Sequence, residues 1–70
     1  MNELNEKAIN MCQAMIGFKP GVSDGDIDTA IFTVTSLPMF AGLDKLELKK
    51  SLLSIYNVKV NTYQILEGRD

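Results

Sequence analysis

The sequence predicts a small, mainly α domain: three helices followed by a short C-terminal β-hairpin. Three observations lead there. Apolar residues recur at helical spacing in three separate segments. Each segment is bounded by residues that start or stop helices. Beyond the third segment the pattern changes to alternation, with Val58 and Val60 against Lys59 and Asn61, as in a strand with one buried face.

The first helix is expected over Glu3 to Ile16. Leu4, Ala8, Met11 and Met15 form one seam, and Ile9, Cys12 and Ile16 a second beside it. Together they make a wide apolar stripe, with Glu6, Lys7, Asn10 and Gln13 facing away. Asn2 can cap the start. Gly17 can end it, because glycine takes a left-handed conformation at little cost. The next stretch, GFKPGVSDGD, reads as a loop with a tight turn at Pro20-Gly21. Phe18 and Val22 are expected to pin this loop to the core.

The segment DGDIDTAIFTVTSLPMF admits two readings. As a strand, Ile31, Thr33, Val34 and Thr35 supply the β-branched content. As a helix, Asp24 or Asp26 caps it, and Ile27, Ala30, Ile31, Val34 and Leu37 share a face. The cap, the acidic first turn and the spacing agree, so the helix is favoured. Pro38 stops it, since the residue before a proline avoids helical angles. LPMFAGL is then a short connector, with Met39, Phe40 and Leu43 expected inside. Asp44 starts the third helix, and Glu47 stands at capping-box spacing from it. Leu46, Leu48, Leu52, Leu53, Ile55 and Tyr56 give it a broad apolar surface, with Lys45, Lys49 and Lys50 on the wet side. The hairpin would run out through Val58 and Val60, turn near Asn61-Thr62 and return from Tyr63 to Leu66. So small a strand pair needs something to pack on.

Seventy residues make one small domain, residues 1–70, with a thin core whose net stability is about 3–5 kcal/mol. The composition, 46% apolar and 23% charged, is that of a folded domain rather than a disordered chain. No run is long and apolar enough to span a membrane, and the start, with Glu3 and Glu6, does not read as a signal peptide. A lone Cys12 without histidine allows no internal disulfide, no Cys–His nucleophile and no zinc site of the usual kind. It fits a reducing, cytoplasmic setting. The front of the chain is acidic, and the later part mildly basic.

Four candidate chemistries can be weighed. DGDID places Asp24, Asp26 and Asp28 at the alternation that opens a calcium loop. The loop's sixth and twelfth positions are Thr29 and Thr35, where glycine and glutamate are required. Helix capping accounts for the three acids more simply. Glu47–Lys49 has the acid-x-lysine spacing of metal-dependent nucleases, with Asp28 or its neighbours as the upstream acid. That motif belongs on a strand, and here it opens a capped helix. Helix, connector, helix and hairpin is also the order of a winged helix, with Lys45, Lys49, Lys50 and Lys59 as the residues facing nucleic acid. The third helix has no arginine, however, and the Leu37–Leu43 connector exceeds the usual turn of about 3–4 residues. Finally, Met39, Phe40, Tyr56, Val58, Val60 and Tyr63 could form a protein-binding surface. Neither a cofactor nor a catalytic residue set is expected.

The back half, LPMFAGLDKLELKKSLLSIYNVKVNTYQILEGRD, resembles the N-terminal lead-in of bacterial Z-one-domain proteins, which are described as candidate endonucleases of restriction and phage defence. The resemblance rests on Met39, Phe40, Gly42, Leu46, Leu52, Leu53, Tyr56, Asn57, Val58, Ile65 and Leu66. In that family an acidic, tryptophan-bearing stretch follows and then a large domain; this sequence has no tryptophan. The resemblance implies the N-terminal domain of a longer protein, non-catalytic, working by contact with protein: a second copy or the downstream domain. It transfers no catalytic position. The alternative is a small DNA-binding or regulatory helix-turn-helix-like domain.

Overall fold

A computed structural model describes residues 3–59. α1 runs from Glu3 to Ile16, α2 from Asp24 to Thr35 and α3 from Lys45 to Tyr56, with one 3₁₀ turn, Pro38–Phe40, between the last two. The architecture is mainly α, as predicted. α2 packs on both α1 and α3, and the turn leans on α2.

The bounds of α1 are those the apolar spacing predicts. Its inner face buries Ala8, Ile9 and Cys12. Gly17 closes it at φ 77°, its N–H donating to the Gln13 carbonyl at 2.7 Å. The loop beyond departs from expectation at Phe18, which is 82% exposed. Its ring lies 6.0 Å from that of Tyr56, outside the core. Val22 does pack inward.

α2 is a helix, and the strand alternative falls. Its cap is Ser23, not Asp24 or Asp26. The Ser23 hydroxyl accepts from the Asp26 N–H, and the Asp26 carboxylate accepts from the Ser23 N–H, both at 3.1 Å. This reciprocal box satisfies two of the donors that every helix start leaves open. The threonines that argued for a strand adapt instead. Thr33 and Thr35 turn their hydroxyls back to the carbonyls of Thr29 and Ile31, at 2.9 and 2.7 Å, a known accommodation of threonine within helices. Ile27, Ala30, Ile31 and Val34 face the core. Leu37 lies past the helix end and is half-exposed. It takes the extended backbone expected before Pro38.

In the connector Phe40 is buried, while Met39 is 57% exposed, against expectation. The 3₁₀ turn has to aim one of two adjacent side chains outward, and Phe40 takes the inner place. Asp44 caps α3 as predicted, its carboxylate accepting from the N–H groups of Leu46 and Glu47. Leu48, Leu52 and Leu53 are buried, whereas Leu46 and Ile55 remain largely exposed.

Among the described residues there is no strand. Val58, expected to open the hairpin, serves the end of α3 instead. Asn57 takes the left-handed conformation, φ 57°, and the Val58 N–H reaches back to the Leu53 carbonyl at 2.9 Å. This is the Schellman closure, with the Val58 side chain against the core. The rest of the predicted hairpin, with Val60, Tyr63, Ile65 and Leu66, lies outside the described residues, as does Asn2.

Candidate functional site

The three acids of DGDID do different work. Asp26 belongs to the capping box. The Ser23 N–H and then the nearby Lys19 ammonium, 3.5 Å away, hold its carboxyl below the usual range. Asp24 and Asp28 are one turn apart on α2, and both meet Lys49. The ammonium lies 3.0 Å from Asp24 Oδ1 and 2.9 Å from Asp28 Oδ1. Lys49 is fully closed to water, and Asp28 nearly so at 3%, while the Asp24 side chain is 41% exposed. Both contact oxygens are shielded, so the ammonium is what compensates them.

Burial alone would pull the Lys49 pKa down. The close Asp28 and Asp24 carboxylates, at 2.9 and 3.0 Å, outweigh this and raise it above its ordinary value. A lysine in that condition is a fixed cation, not a nucleophile or base. It also occupies with its own charge the space between the two acids. Among the described residues, no group of three or more aspartates, glutamates or cysteines is placed to hold a metal ion. The nuclease-like spacing is dismantled as well. Lys49 does meet Asp28, but in the interior, while Glu47 is exposed on α3.

The placement of Lys49 corrects the expectation that it lies on the wet side with Lys45 and Lys50. Lys45 is half-buried, and Lys50 and Lys59 are exposed. A nucleic-acid face built on four lysines therefore loses its central one. The signal for burial was present in the spacing. Leu52, Leu53 and Tyr56 stand three, four and seven residues after Lys49, which puts the lysine on the apolar face of α3.

The expected protein-binding residues scatter. Met39 is exposed. Phe40 is in the core and presents nothing outward. Tyr56 is half-buried, its hydroxyl donating to the Gly17 carbonyl at 2.8 Å and so tying the ends of α3 and α1 together. Val58 is half-buried in the cap of α3; Val60 and Tyr63 lie outside the described residues. Cys12 is buried, and burial pushes its thiol up to about 11, which makes it inert at neutral pH.

A surface that the sequence does not announce is a groove of about 560 Å³ between α1 and α3. Ile9 and Ile55 are its apolar residues, Glu6 stands on the α1 wall and Lys50 on the α3 wall. Asn10 and Gln13 of α1 and two short side chains of α3, Ser51 and Ser54, complete its lining. Serines at those positions read in the sequence only as a polar face. No described helix is long and apolar enough to cross a membrane. No family model matches this chain, and neither a curated protein nor a solved structure matches it.

Proposed function

We propose that this domain is a non-catalytic assembly module that pairs with a second copy of itself through the α1/α3 groove. The observation that carries the reading is the groove's own make-up: Ile9 and Ile55 among polar side chains, Asn10 and Gln13 included, with Glu6 on one wall and Lys50 on the other. A two-fold axis along such a groove sets α1 of one copy against α3 of the other. Glu6 then meets the partner's Lys50, and Lys50 meets the partner's Glu6, so one patch complements itself. Exposed ion pairs of this kind set orientation more than affinity. The affinity comes from covering Ile55, which is 48% exposed, together with the floor around it.

The wider setting we propose is the N-terminal domain of a cytoplasmic, defence-type candidate endonuclease of the Z-one kind, supported by the resemblance of the back half. The absence of chemistry in this domain is part of the same proposal. It is supported by Asp24, Asp28 and Lys49 being spent on one another and by the buried thiol of Cys12. Val60 and Tyr63, expected from the sequence to contact protein, would extend the contact surface.

Sedimentation equilibrium across a concentration series tests this. The expected result is a mass that rises to twice that of the chain. Glu6→Lys should weaken the dimer, and adding Lys50→Glu should restore it. A monomer at every concentration would overturn pairing and leave the downstream domain of a parent protein as the partner. Binding to duplex DNA that falls steeply with salt would instead favour the helix-turn-helix alternative, carried by Lys45, Lys50 and Lys59.

A further inference from the structure

The interface between α2 and α3 is built from interchangeable parts. In the core that the helices share, α2 buries Ile27, Ile31 and Val34, and α3 buries Leu48, Leu52 and Leu53. Aliphatic side chains repeat at each helical turn, so a shift of one turn, about 5.4 Å, brings similar shapes into similar gaps. Cores of this kind keep their stability on repacking and lose uniqueness first. Lys49 sits inside that interface with Asp24 and Asp28; apolar side chains in place of all three would be about as stable, although removing the lysine alone strands the buried carboxylates. What the triad as a whole adds is therefore something other than net stability.

We infer that the Asp24–Lys49–Asp28 triad is a register lock, which selects one packing of α3 on α2 against neighbouring ones. The ammonium straddles two carboxylates one turn apart, at 3.0 and 2.9 Å. Moved one turn toward the end of α2, Lys49 would face Asp28 and Phe32. Moved one turn toward the start, it would face Asp24 and then run out of helix, since α2 begins there. Either shift removes one of the two bonds while the charge stays buried, a penalty that apolar side chains do not impose. The native register is the one position with both bonds. Two carboxylates and one ammonium leave a net negative charge, and it sits in the first turns of α2, where the positive end of the helix dipole favours it. The lock is independent of the groove on the other side of α3 and of the assembly it would mediate.

The test is the amide and methyl NMR spectrum of two variants. Asp24→Ala/Asp28→Leu/Lys49→Met makes the interface wholly apolar. The expected result is retained helicity and cooperative unfolding, with doubled or exchange-broadened signals across α2 and α3. A single sharp set of signals with the native interhelical contacts would overturn the lock. If the triple variant does not fold, Asp24→Ala alone decides, because it leaves the Asp28–Lys49 pair and the aliphatic core in place. Exchange broadening confined to α2 and α3 supports the lock. A lower melting temperature with one sharp signal set overturns it and makes the triad a matter of stability only.

Discussion

Lys49 lies on the side of α3 that meets α2 and is closed to water, whereas Lys50, one residue further, stands on the wall of the groove that α3 shares with α1. The two are the same residue type on the same helix. A rotation of about 100° separates them, and it decides everything about their energetics. On one side the charge is withdrawn from solvent and must be matched by Asp24 and Asp28. On the other the charge stands at an exposed surface, where any pairing is worth little. One face of α3 is therefore tied up in the fold, while the other is open to contact with something else. A helix's charged residues do not share a role because they share a sign.

The sharpest break of this comparison is the pair Lys49→Met and Lys50→Met. Removing the buried ammonium leaves Asp28 charged and enclosed, which costs about 3–5 kcal/mol. That is comparable with the whole stability of a domain this size, about 3–5 kcal/mol. The Lys49→Met chain should be largely unfolded at room temperature by circular dichroism. Lys50→Met should stay within about 0.5 kcal/mol of the parent in urea titration. Equal effects at the two positions would mean that the ammonium is not compensating buried carboxylates.

These residues also show how much of the molecule is legible in its sequence. The bounds of α1, the helical reading of α2, the stop at Pro38 and the Asp44 cap all follow from spacing and end signals, because those are local. The Ser23 cap escapes by one residue: Asp24 and Asp26 are equally good caps in isolation, and what decides is the reciprocal bond between Ser23 and Asp26. The side of Lys49 is misjudged when lysine is read by type rather than by angle. Phe18 and Met39 are expected inside on hydrophobicity alone, but three short helices enclose only so much, and the inner places go to Ile27 and Phe40. The groove is illegible, since it is lined by two helices distant in sequence.

A second prediction uses alkali to separate the buried ammonium of α3 from the buried thiol of α1. Cys12 has its thiol raised from 9.0 to about 11, and Lys49 is raised above its ordinary value near 10.5. In both, the folded state holds the proton more tightly than the unfolded chain. The associated stability is complete below the unfolded pKa and drains away as pH rises through the folded one. Stability should therefore begin to fall near pH 9, from Cys12, and fall further from pH 10 upward, from Tyr56, whose pKa burial also raises, and then from Lys49. In Cys12→Ala the first decline should vanish and the second persist, read as the urea midpoint against pH. A flat profile to pH 11 in the parent chain would show that neither group is sealed as described.

The smallest expected effect lies on the groove side, and it has the opposite sign. Ser54 lines the groove and is exposed. Serine is a poorer helix former than alanine, because its hydroxyl competes for backbone bonds. Ser54→Ala should therefore stabilise the monomer by about 0.5 kcal/mol, with no packing to disturb. The matching change on the other face, Asp28→Asn, is just as conservative in shape. It should cost about 3 kcal/mol or more, because it strips a charge from a buried pair. Measuring the two side by side in urea isolates the environment from the size of the change. A loss of stability in Ser54→Ala would mean that contacts within the chain already close the groove. The α1 side of α3 would then be tied up in the fold no less than the α2 side.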